Sequence, residues 1–187
     1  MKIGYCVEGS TDRALLEALR VRWCPDAKMI EGRFRGAFRR REIPKACFEL
    51  QQKGVDLIVM LRDANDENWR DVLNGDQQCR VPAHAHFAVF GICDRNVECW
   101  LTTDRQYASA RLGLPAQNFA VPDPKDIFES AMGISALERK EPEIVEFVLA
   151  APLRNWLGNH SFENFYSQLR QKSKELGCMI ENLLERS

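Results

Sequence analysis

Two acids in this sequence stand where chemistry is most easily placed, each directly after an apolar run. Glu8 ends one such run in Val7-Glu8-Gly9-Ser10-Thr11-Asp12, and Asp63 ends another in Leu61-Arg62-Asp63-Ala64-Asn65-Asp66-Glu67. A third acid, Glu98, follows a third run in Asn96-Val97-Glu98-Cys99-Trp100-Leu101. Carboxylates gathered at neighbouring strand ends repel one another and are costly to ionise together unless a divalent cation neutralises them. An oxygen-only set favours magnesium or manganese, which keep several waters and hold phosphate oxygens. A pair of such ions stabilises both the attacking and the leaving oxygen of a phosphoryl transfer. The expected ligands are Glu8 and Asp63 first, with Asp12, Asp66 and Glu98 beside them, and Glu8 is also a candidate general base. Each acid has a structural reading too: Asp12 complements a helix dipole, and Asp66 and Glu67 begin the helix that contains Trp69, Val72 and Leu73.

The elements that must position these acids follow from the hydrophobic pattern. Residues 3–7, 28–30, 55–61 and 85–92 read as strands, and the run from Val55 to Leu61 is apolar enough to be buried on both faces. Between them lie helices. One is opened by Ser10-Thr11-Asp12, with Ala14, Leu15, Ala18, Leu19 and Trp23 at helical spacing, and another over residues 37–53 stops at Gly54. Strands separated by helices imply parallel pairing through right-handed crossovers, hence an α/β domain with a parallel, Rossmann-like sheet. Ligands of such sheets bind at the carboxyl edge, where Glu8 and Asp63 stand. Beyond Asn96 the pattern is helical, at residues 97–103, 105–112, 125–132 and 143–149 and in a terminal pair after Ser161. The expected organisation is an α/β core over 1–113 and a helical extension over 114–187, packed as one globular unit.

Composition narrows the class. With 187 residues, 45% of them hydrophobic and 28% charged, the chain has the make-up of one globular domain rather than a fibrous or disordered polymer. No apolar run approaches the roughly 20 residues of a membrane span, and the amino-terminal stretch is unlike a secretory signal, so a cytoplasmic protein is expected. Seven cysteines, odd in number and dispersed, suggest reduced and mostly buried thiols. None has Cys-x-x-Cys spacing; a zinc site built from His84 and His86 with Cys79 or Cys93 is conceivable but lacks a second spaced pair.

Charge is balanced overall at −1 but not locally. Arg33, Arg35, Arg39, Arg40, Arg41 and Lys45 make residues 31–45 +4 while the rest sums to −5. That asymmetry suits an anionic partner such as DNA, whose phosphates the five arginines would guide toward the acids. A solvated helix face looks the same.

At these residues the sequence resembles the Toprim (topoisomerase-primase) family, and within it the small proteins related to the overcoming-lysogenization-defect (OLD) nucleases. There a strand ending in Glu-Gly meets a second strand ending in Asp-x-Asp, and the acids bind magnesium. Val7-Glu8-Gly9 with Asp12 four residues on resembles the first motif, and Asp63-Ala64-Asn65-Asp66 resembles the second, with Asn65 in its second acidic position. The stretch from Asn96 to Asp104 is similar to the segment that supplies a third-strand glutamate, here Glu98. Pro122-Asp123-Pro124-Lys125 resembles a segment with a lysine near the metals, which makes Lys125 a stabiliser of the transferring phosphate. The resemblance implies a magnesium- or manganese-dependent endonuclease acting on DNA, in defence against phage or mobile DNA, beside a partner ATPase. No Gly-rich phosphate loop occurs in this chain to supply ATP hydrolysis itself. The alternatives are a catalytically degenerate Toprim-like binding or sensor subunit that acts with that ATPase, supported by Asn65, and a primase-like enzyme, for which the chain is short. Oligomeric state is left open, a homodimer included.

Overall fold

The computed structural model describes residues 1–32, 39–79, 87–135 and 140–178. Arg33, Arg35, His84 and His86 lie outside these residues. The apolar runs form strands β1 (Lys2–Val7), β2 (Lys28–Glu31), β3 (Leu57–Asp63) and β4 (Ala88–Cys93). They pair in the order β2-β1-β3-β4, every pairing parallel, with Val7 opposite Leu61 and Asp63 opposite Cys93. An α/β fold with a four-stranded, all-parallel sheet is therefore present, and this register brings the carboxyl ends of β1, β3 and β4 side by side.

Two helices occupy one face. α2 (Ile43–Gln52) and α3 (Trp69–Gln78) pack on Cys6, Ile58, Met60, Phe90 and Ile92. The other face is covered by α1 (Ser10–Trp23) and by helices from the second half of the chain: α7 (Glu141–Ala150) against α1, and α9 (His160–Glu175) against β4. Between them the chain runs through α4 (Val97–Leu101), α5 (Arg105–Leu112), α6 (Lys125–Met132) and α8 (Leu153–Trp156). Alternate strand residues Ile3, Tyr5, Leu57, Val59, Leu61, Val89 and Cys93 share one buried cluster with Trp100, Phe128, Phe147, Trp156, Phe162 and Phe165. Full burial of each such side chain is worth about 1.5–3 kcal/mol, so the carboxyl edge of the sheet is built on a rigid base.

Several local expectations need correction. The helix read over residues 37–53 begins, among described residues, as a 3-10 turn at Arg40–Glu42 that becomes α2, where Pro44 fits the first turn. Gly54, at φ +68, ends it as expected. α1 is not opened by its hydroxyls: Gly9 is the N-cap, and Asp12 Oδ2 accepts the Gly9 backbone N–H at 2.7 Å. Gly9 is extended at φ −137, a conformation open to any residue. Asp66 and Glu67 precede α3 rather than beginning it, because Asn68 caps that helix by accepting the Arg70 N–H at 2.9 Å. Cys24 and Cys178 form a disulfide, against the expectation of reduced thiols; dispersion in sequence hides that the ends of α1 and α9 lie together. No described helix is long and apolar enough to cross a membrane.

Candidate metal centre

The site is assembled from strand ends and the turns that follow them. β3 delivers Asp63 as its last residue, and the parallel register sets Cys93 of β4 beside it. Asp12 projects from the first turn of α1, which is anchored directly after β1. Ligand-type atoms of Asp12, Asp63 and Cys93 all lie within 4.8 Å of one another. Glu98 enters from α4, whose cap Asn96 accepts the Cys99 N–H at 3.2 Å and fixes the turn just beyond β4. Glu8 borders the group: its Oε2 accepts the Asp63 backbone N–H at 3.3 Å, while its Oε1 lies 4.0 Å from the Arg62 Nε.

Burial makes these acids unusual. Asp12 and Glu98 are only 3% and 2% exposed. Burial, followed by the charge of Asp63, holds the Asp12 carboxyl well above the ordinary carboxylate range, against the lowering effect of the Gly9 hydrogen bond. Burial and then the Glu8 charge push Asp63 up to about 6, with Lys125 and the Val97 backbone amide pulling the other way. Burial raises Glu98 to about 7, opposed by its own backbone amide and by Lys125. Burial works against the charge of Lys125, but Glu98, Glu129, Asp63 and Asp12 outweigh it and raise its pKa. The lysine thus stands as a cation facing the acids.

The donor set can be tested against a hard divalent ion. Asp12 Oδ1, Asp63 Oδ1 and Glu98 Oε2 are buried and have no hydrogen-bond partner among the described residues. Buried polar oxygens ordinarily find a partner, and an orphaned one costs about 1–3 kcal/mol, more when charged. Asp12 and Asp63 approach within 4.8 Å, an arrangement a cation completes, while Glu98 stands outside that close group; oxygen donors suit magnesium or manganese. Cys93 does not suit these ions, since burial raises its thiol pKa well above the ordinary value and keeps the sulfur neutral.

The structure therefore places Asp12 and Asp63 together, with Glu98 and Lys125 in electrostatic reach of them and Glu8 at their margin. The order of importance read from the sequence changes: Asp12, a helix-capping acid there, is the closer companion of Asp63, and Glu8 is peripheral. Asp66 is not brought in. Its side chain is 94% exposed and pairs with Arg95 at 3.3 Å, because Asn65 turns the chain through a left-handed conformation at φ 53. Cys93 is read from the sequence as a core thiol and as a conceivable zinc ligand with His84 and His86, not as a neighbour of the acids; its place at the end of an apolar strand, like that of Asp63, was the available signal.

The basic stretch divides. Arg39 and Arg41 are exposed, but the Arg40 Nε sits 3.1 Å from Asp76 Oδ1, and Asp76 is fully buried. Arg62 reaches the other oxygen of Asp76 at 3.6 Å. Arg40 is thereby tied to α3 through its Nε while its side chain remains 46% exposed. Compared with known proteins, the chain matches no family model, no curated protein and no solved structure.

Proposed function

We propose that this chain is a Toprim-like, divalent-metal-dependent nuclease that hydrolyses phosphodiester bonds in DNA. The observation that carries the reading is the approach of Asp12 and Asp63, from separate segments, within 4.8 Å, with Glu98 in electrostatic reach and one buried carboxylate oxygen on each of the three lacking any hydrogen-bond partner among the described residues. Asp12, Asp63 and Glu98 would hold magnesium or manganese. Such an ion, when bound, neutralises the phosphate and lowers the pKa of a water molecule. The chain's own groups do the rest. Lys125 opposes the negative charge that grows on the phosphate oxygens. Glu8, held at Oε2 by the Asp63 amide and with its Oε1 4.0 Å from the Arg62 guanidinium, takes the proton of the attacking water. Arg39 and Arg41 supply positive surface for the strand. Cleavage of plasmid and oligonucleotide DNA with manganese, by wild type, Asp12→Asn, Glu8→Gln and Asp63→Asn, tests the reading; equal cleavage by all four overturns it.

One observation favours a second reading, a catalytically degenerate subunit that acts through a partner ATPase. Asn65 stands in the second acidic position and Asp66 is turned out to Arg95, so that motif supplies only Asp63 to the site. A degenerate site would bind neither magnesium nor manganese in calorimetry.

A further inference from the structure

A polar cavity of about 570 Å³ opens beside the acidic group. Its position is set by chain neighbours. Asp94 follows Cys93, Cys99 follows Glu98 and Pro124 precedes Lys125, and all three line the cavity while their neighbours belong to the acidic group or face it. The cavity is therefore bordered by the end of β4, by α4 and by the start of α6, the segments that carry Cys93, Glu98 and Lys125. Sites that take small molecules usually measure about 300–1,000 Å³, so this volume admits one nucleotide.

The lining has the chemistry of a nucleotide site. Arg95 and Arg105 line the cavity with Asp94; the Arg95 guanidinium is paired with Asp66 at 3.3 Å, which leaves Arg105 as the cavity's uncompensated cation. Arg105 is exposed and has no ion-pair partner among the described residues. Arg95 stands on a left-handed turn at φ 64, and its carbonyl accepts the Asn65 N–H at 2.8 Å. Such a conformation costs a non-glycine residue about 1–3 kcal/mol and persists only where its surroundings hold it. Val121 and Pro122 add apolar surface to the lining, on which a sugar or base can rest. The polar groups are fixed in advance, since Asn155 donates to Asp104 at 2.6 Å and Thr103 donates to the Cys99 carbonyl at 2.8 Å. Preorganised groups of this kind reduce the ordering cost of binding.

We infer that this cavity is a nucleotide subsite, which takes the nucleotide flanking the bond to be cleaved, its phosphate toward Arg105 and its sugar and base against Val121 and Pro122. The inference rests on the nuclease reading for its purpose but not for its test. Thymidine 5′-monophosphate is titrated into the full chain without metal and followed by saturation-transfer NMR, with inorganic phosphate as competitor and a separate manganese titration on the same preparation. Wild type binds the nucleotide and phosphate competes at least tenfold more weakly, a difference of about 1.4 kcal/mol. Arg105→Glu weakens nucleotide binding at least tenfold, and Val121→Trp, a substitution at an exposed position that fills the cavity, abolishes it. Absence of wild-type binding up to about 10 mM overturns the inference, as does equal binding by wild type and a folded Val121→Trp protein, or phosphate competing as strongly as the nucleotide. Nucleotide binding without manganese binding upholds the subsite and removes the nuclease reading; manganese binding without nucleotide binding does the reverse.

Discussion

The Glu8 carboxylate accepts the backbone N–H of Asp63 at 3.3 Å, so the end of β1 is tied to the end of β3 at the margin of the acidic group. Two residues 55 positions apart in sequence are thereby fixed in one local geometry. Glu8→Gln keeps an acceptor for this hydrogen bond but removes a charge and a proton acceptor. We expect a folded protein with an unchanged melting temperature within about 2 °C and manganese-dependent cleavage reduced by about 10²-fold or more. Circular dichroism and initial cleavage rates check the two halves of that statement.

The buried acids also set a pH dependence. Asp63 at about 6 and Glu98 at about 7 both lie above their ordinary values of 3.8 and 4.5, so the folded chain binds protons more tightly than the unfolded one. The stability these groups contribute is fully present below about pH 4 and is lost as pH rises through 6 to 7. Metal-free protein should therefore melt at a lower temperature near pH 8 than near pH 5. Asp63→Asn should flatten that slope, and excess manganese should reverse it. A melting series in chelator, with and without the substitution, reads both effects.

Asp76 is a fully buried anion between Arg40 and Arg62. Asp76→Ala leaves Arg62, itself only 13% exposed, without that charge. Breaking a buried pair costs about 3–5 kcal/mol, and the half-exposed Arg40 lowers this to about 2–3 kcal/mol. The loss should appear as a lower urea midpoint with an unchanged slope.

Gly91 lies where α9 crosses β4. A Cβ there would fall 2.7 Å from Leu61 Cδ1 and 2.8 Å from Phe165 Cδ2. Gly91→Ala should destabilise by about 1–3 kcal/mol through overpacking, measured by the same denaturation. Because α9 covers β4 two residues before Cys93, manganese affinity should fall as well.

The strand framework was legible because each strand is a short apolar run followed by an acid or a turn, and this alone placed Asp63 and Glu98. What the sequence withheld is tertiary. Asp12 looks like a dipole-complementing acid because it is one; that its second oxygen is buried beside Asp63 depends on how α1 sits over the sheet. Asp66 was drawn in by spacing, yet the left-handed turn at Asn65 sends it to Arg95. Arg40 reads as part of a basic surface, while its partner Asp76 was marked by a signal left unused: it falls in step with Trp69, Val72 and Leu73 on the buried stripe of α3. The Cys24–Cys178 bond is invisible to residue counts, since it joins positions 154 apart that meet only after α1 and α9 have packed.

The central claim is that Asp12, Asp63 and Glu98 hold a divalent ion. Calorimetric titration of the full chain with manganese at about pH 7.5 measures it most directly, since the binding heat does not depend on any substrate. Saturable binding by wild type, weakened at least tenfold in Asp63→Asn and in Asp12→Asn, is the predicted result. No saturable heat from a folded wild-type protein, or equal affinity in all three, would contradict it.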